Sequence, residues 1–203
     1  MPRQRARMDE MNLQRNTLEA VIETRVRALT GSEVWPLRLA MVITASLFVA
    51  LCARISVPLP YTPVPVTMSN FAVLLVGLLL GSRMGFAALV LYLIEGTAGL
   101  PVFSHGSLGL LGPTGGYLMA YPFVALVAGW ISERGTRSFT RTLCASVAAE
   151  ALLFAVAISW LMIAFHTPLY LAAQWGIYPF LVAELAKVLA AAGLSNRLLA
   201  RKS

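Results

Sequence analysis

The sequence predicts an all-α integral membrane protein of six transmembrane helices with both termini in the cytoplasm. Three observations carry this. First, 58% of the 203 residues are hydrophobic and 12% are charged. Soluble domains carry about 25% charged residues, so the apolar runs read as spans rather than as one buried core. Second, six such runs follow one another, at 37–55, 66–81, 84–100, 115–132, 142–165 and 174–196. A helical crossing takes roughly 20 residues, so the short second and third runs predict bent, tilted or interrupted helices. Third, positive charge alternates between the connections. Arg83 separates runs two and three, Arg134, Arg137 and Arg141 separate runs four and five, and Arg197, Arg201 and Lys202 follow run six. The opposite loops are nearly free of Lys and Arg: 56–65 has none, 101–114 holds only His105 and 166–173 only His166. Arg54 is the exception. Basic residues collect on the cytoplasmic side, which sets the orientation.

The elements follow in order. Residues 1–35 are a basic cytoplasmic extension. Its apolar positions Leu18, Val21, Ile22, Val26 and Leu29 fit an amphipathic helix on the inner membrane surface, or a disordered tail. Residues 36–203 form the six-helix domain, with no soluble second domain and so no nucleotide-hydrolysing module of its own. The net charge of +7 fits cytoplasmic loops better than nucleic acid. Cys52 and Cys144 lie in or beside apolar runs, lack ligand spacing and read as packing residues. His105 and His166 are isolated, so no metal site is expected. No catalytic triad, HExxH or other recognised catalytic set is present, and the chain does not read as an enzyme.

Lys187 and Glu184 are the strongest site signal. They lie three residues apart in the apolar run 180–192 and share one helix face. An ammonium at membrane depth costs roughly 2.5–3.5 kcal/mol, so it is found with a partner or a polar cavity. A structural ion pair and a ligand site are both open readings. Glu95 and Glu150 are further embedded acids. Glu95, beside Gly96 at the outer end of run three, is the better candidate for a ligand contact. Glu150, with Ser146 four residues before it, fits a hydrogen bond between helices.

Two loops stand out. Pro58, Pro60, Pro63 and Pro65 remove donors and favour extended chain, giving a stiff connector or a lid over an outward cavity. Gly112-Pro-Thr-Gly-Gly-Tyr117 places a helix start near Gly115 with its free N–H groups toward the outer side. Ser46 and Ala50 form a small-x-x-x-small pair that suits internal packing or a partner helix.

Five stretches taken together resemble the biotin-specific S components, the BioY family, of energy-coupling factor (ECF) transporters. They are Ile55-Ser-Val-Pro-Leu-Pro-Tyr-Thr-Pro-Val-Pro-Val-Thr67, Phe71-Ala-Val-Leu-Leu-Val-Gly-Leu-Leu-Leu-Gly81, Tyr92-Leu-Ile-Glu-Gly96, Gly99-Leu-Pro-Val-Phe103 and Gly112-Pro-Thr-Gly-Gly-Tyr117. The resemblance covers 37–200. It implies a biotin site near the outer side, and a multi-pass protein of a bacterial or archaeal cell membrane. It also implies partnership with a coupling subunit and two ATPase subunits, toward which Ser46 and Ala50 would face. ATP would act only on those subunits, and the chain would need no cofactor. Glu184 stands where the family has aspartate, and Ser69, followed by Asn70, stands where the family commonly has glutamine. On this resemblance Glu184 accepts from the ureido N–H groups, Lys187 donates to the ureido oxygen or the carboxylate, and Ser69, Asn70, Glu95 and Thr114 are further polar candidates. Phe103, Tyr117, Tyr121 and Trp175 would pack on the apolar parts. A self-sufficient transporter coupled to protons, with Glu95, Glu150 or Glu184 as relay, is the rival reading.

Overall fold

The structure is a computed structural model. It describes residues 34–104, 108–135 and 138–200, with the side chains of 199 and 200 excepted. The proposed amphipathic segment, His105, Arg137, Arg201 and Lys202 lie outside the described residues. Residues 34–41, at the start of the first helix, are exposed; Val42–Ser203 is a compact unit.

Helix α1 runs Val34–Ala53. Pro36 falls in its first turn, where its missing N–H would have no helical partner anyway. The chain then forms a short hairpin, β1 (Ser56–Val57) and β2 (Val66–Thr67), paired antiparallel with Ser56 opposite Thr67. This is the one departure from an all-helical chain among the described residues. The four prolines lie in the loop between the strands, where no ladder hydrogen bond is needed. Thr62 pins this loop: its hydroxyl donates to the Trp175 carbonyl at 2.8 Å and accepts from the Val64 N–H at 3.2 Å.

Helix α2 is assigned as Ser69–Thr97, yet it is broken at Gly81 (φ 82°, ψ 177°). A Cβ on Gly85 would lie 3.2 Å from the Gly77 Cα. Eight residues along one straight helix span about 12 Å, so segments 69–80 and 82–97 fold back side by side. The turn needs a residue tolerant of positive φ, and glycine supplies it. The next residue is capped from a distance: Glu133 accepts from the Ser82 N–H at 3.0 Å and from its hydroxyl at 2.8 Å. Glu133→Ala will lower stability by about 1 kcal/mol, the usual worth of a helix cap, read as a fall in the unfolding temperature in detergent. An unchanged temperature would mean that packing alone holds the turn.

A 3₁₀ turn at Gly109–Leu111 leads to α3 (Gly115–Glu133), which starts where the glycine pair places it. Helix α4 runs Phe139–Phe165; the Ser138 hydroxyl accepts from the Arg141 N–H at 3.2 Å and caps it. His166, at φ 52°, ends the helix, and Pro168 prevents its continuation. Helices α5 (Leu169–Gly176) and α6 (Leu181–Ala200) meet at a 54° bend. Among the described residues four helices are long and apolar enough to cross a membrane, or five if the bent pair is one span.

The core is built from small residues. Ala72, Ala88, Ala120, Ala125, Ala128, Ala145 and Ala149 are fully buried. Without a hydrophobic force between helices in lipid, small side chains favour association by letting backbones approach. Leu74, Leu78, Leu89, Leu153 and Leu161 fill the space between them, while other large apolar residues, such as Ile43, Leu47 and Leu51 on α1, are exposed. Cys52 is buried as expected of a packing residue, whereas Cys144 is exposed on the outward face of α4, where a small apolar side chain is equally suited.

Candidate functional site

The site is built where the first turn of α2, the middle of α4, the start of α6 and the β-hairpin converge. Lys187 donates to Glu184 Oε1 at 2.7 Å and to the Thr67 carbonyl at 2.6 Å. Both side chains are nearly fully buried. The pair is therefore not a simple tie within one helix, because its ammonium also holds β2. Asn70 adds the second layer. Its Nδ2 donates to Glu184 Oε2 and to Glu150 Oε1, each at 2.6 Å. Two carboxylates, one ammonium and one amide thus form a single buried cluster.

The cluster's hydrogen bonding is uneven. Lys187 uses two of its three protons, and Asn70 uses both amide protons. The buried atoms with no partner among the described residues are Asn70 Oδ1 and Glu150 Oε2. Both are acceptors. A buried acceptor without a donor typically costs about 1–3 kcal/mol, so the cluster favours a ligand that brings N–H groups.

Above the cluster lies a cleft. Glu184, Asn70, Ser69 and Thr67 supply its polar wall, Tyr92, Tyr117, Tyr121 and Phe180 its aromatic wall, and Val64 and Pro65 of the hairpin loop part of its rim. The rings are held in place. The Tyr117 hydroxyl donates to the Gly176 carbonyl at 2.6 Å. Tyr121 OH, Ser69 Oγ and Thr67 Oγ1 form a chain with spacings of 2.9 and 2.6 Å. Tyr92 meets Phe103 edge to face at 5.4 Å between centroids. A ligand entering here meets flat apolar surfaces and one hydrogen-bonding end, the usual composition of a small-molecule site.

The structure brings most of the expected residues together. Glu184, Ser69, Asn70, Thr114, Tyr117 and Tyr121 line the cleft, and Lys187 lies behind Glu184. Phe103 stands behind Tyr92 rather than in the wall. Trp175 does not line the cleft; its carbonyl is the anchor for Thr62. Glu95 is placed elsewhere. It accepts from the Ser46 hydroxyl at 2.5 Å, joining α2 to α1. Neither acid lines the cleft; Glu150 is inside the cluster, in a hydrogen bond that joins α4 to α2. Ser146, its expected partner, bonds instead to the Thr142 carbonyl at 2.9 Å. Ser46 is fully buried and bonded to Glu95, which fits the internal-packing reading of the Ser46–Ala50 pair, and Ala50 is half-buried. Thr67, Tyr92, Phe180, Leu153 and Phe154 are cleft residues that sequence reasoning did not single out. Thr67 and Tyr92 lie in the five quoted stretches, and that was the one signal available for them.

Comparison with known proteins places the chain in a family. A protein described as "Probable biotin transporter BioY" from Pyrococcus horikoshii is 37% identical over 159 residues, covering 75% of this chain and 92% of its own. "Biotin transporter BioY" from Thermotoga maritima is 36% identical, covering 77% of this chain and 94% of its own. A crystal structure described as the S-component for biotin from an ECF-type ABC transporter superposes with a TM-score of 0.76 at 22% identity, over 84% of this chain and 94% of that one. At that identity it speaks for the fold. The model of the BioY family matches residues 24–203, and the chain belongs to that family.

Proposed function

We propose that this protein captures biotin in the cleft and serves its uptake across the membrane. The observation that carries the reading is the buried acceptor Asn70 Oδ1, without a partner among the described residues, beside the Glu184–Lys187 pair at an aromatic cleft. Biotin's ureido ring offers two N–H donors and one carbonyl. Asn70 and Glu184 face the cleft and take the ring's donors. The third proton of Lys187 is the group suited to its carbonyl. Tyr92, Tyr117, Tyr121 and Phe180 cover its apolar ring and chain. With the ureido ring at the cluster, the ligand's carboxylate lies at the far end of its chain, away from Glu184. Binding needs no covalent chemistry.

Counting the two segments of α2 separately, with α5 and α6 as one broken span, supports six crossings. The even number, with Arg83, Arg134, Arg141 and Arg197, supports cytoplasmic termini in a cell membrane. The description of the solved S-component supports work with a coupling subunit and ATPase subunits, which would supply the energy.

Labelled biotin should bind the purified, detergent-solubilised protein saturably and be displaced by biotin but not by unrelated vitamins. Absence of binding by folded protein would remove biotin as the ligand. Uptake in proteoliposomes should require the ATPase subunits; uptake by this chain alone, driven by a pH gradient, would reverse that part of the reading.

A further inference from the structure

The cluster holds two carboxyl groups to one ammonium. Glu150 is 5% exposed and does not line the cleft, so it is not placed to touch a ligand. Its single described bond is to Asn70, and Asn70 is 4% exposed and does line the cleft. An amide side chain can be turned two ways, exchanging its donor and acceptor ends. Glu184 Oε2 takes one Nδ2 proton and Glu150 Oε1 the other, each at 2.6 Å. With both protons held by carboxyl oxygens, the flipped amide would set its own oxygen against two acceptors. Only one orientation survives, and it leaves Oδ1 buried without a partner among the described residues.

We propose that Glu150 is a positioning residue that locks the Asn70 amide with its oxygen presented to a ligand N–H, which makes the site selective for a donor at that point. The ligand's identity rests on the biotin reading; the lock itself does not. The sequence-level reading of Glu150 as a helix tie differs in its consequences. A tie would affect stability alone, whereas a lock affects which hydrogen bond the ligand must supply.

Two measurements test this in the full chain. The first is the side-chain amide spectrum of asparagine-labelled protein, with the Asn70 signal identified by its loss in Asn70→Ala. Wild type and Glu150→Gln, which keeps an acceptor oxygen, should show two slowly exchanging Asn70 protons. Glu150→Met, apolar and close in size, should lose protection of one. Two protected protons in Glu150→Met would overturn the lock, whatever the ligand. The second is biotin affinity. Glu150→Met should weaken it at least about tenfold, and Glu150→Gln by no more than roughly threefold, as expected for loss and for retention of one such bond. In an Asn70→Ala background the Glu150→Met change should have no further effect. Equal losses in both backgrounds, or a Glu150→Gln loss as large as that of Glu150→Met, would overturn action through Asn70. Wild type that binds no biotin would count against the proposed function, while the amide spectrum would still decide the lock.

Discussion

Lys187→Ala will weaken biotin binding by about tenfold to a hundredfold, the worth of one charge-assisted hydrogen bond of about 1.5–3 kcal/mol. It will also destabilise the protein. Removing one partner of a buried ion pair costs about 3–5 kcal/mol, because Glu184 would be left charged with Asn70 as its one side-chain donor among the described residues. The two losses separate in the double variant Glu184→Gln/Lys187→Met. That change removes both charges together and should recover much of the unfolding temperature while binding stays weak. Isothermal titration with thermal unfolding on the same samples checks both. Near-wild-type affinity in folded Lys187→Ala would reject the lysine as a ligand contact. The Thr67 carbonyl adds a further effect. Without the ammonium it loses a 2.6 Å bond, so the β-hairpin should become more accessible to protease.

Gly77→Val will be more damaging than any substitution on the outward faces. A Cβ at Gly77 would lie 2.5 Å from the Ala125 carbonyl oxygen and 2.8 Å from its Cα. Both are backbone atoms, so relief requires α2 and α3 to separate. Overpacking of this kind costs about 1–3 kcal/mol and sometimes more. At a few degrees per kcal/mol, the unfolding temperature should fall by about 5–10 °C. Gly193, on α6, is the control. A Cβ there meets nothing within 4 Å, so Gly193→Ala should be neutral or stabilising by up to about 1 kcal/mol. Similar effects at the two positions would mean that the α2–α3 approach does not limit stability.

Most of the architecture was legible because apolar length and charge placement are local signals. The helix starts near residues 37 and 115 and the interruption near residue 81 could be read directly from Pro, Gly and Arg. What was not legible depended on partners distant in sequence. Glu95 and Glu150 look alike as single acids in apolar runs. Only packing decides that Glu95 meets Ser46, 49 residues away, while Glu150 meets Asn70, 80 residues away. Trp175 was attractive as an aromatic, yet the group that matters there is its carbonyl. Phe180, which does line the cleft, sits at the α5–α6 bend, and a bend between two short apolar helices leaves little trace in periodicity.

The break at Gly81 has a geometric consequence for the bilayer. At ~1.5 Å per residue, segment 69–80 is about 18 Å long, against roughly 30 Å of hydrocarbon. A lone helix of that length would have to thin the membrane around it. This one does not meet lipid along most of its length, since residues 72–78 are buried. Its first turn carries Ser69 and Asn70, which line the cleft, so the short end of this segment abuts the site rather than lipid. Polar side chains that would be costly against hydrocarbon are thereby kept inside the protein.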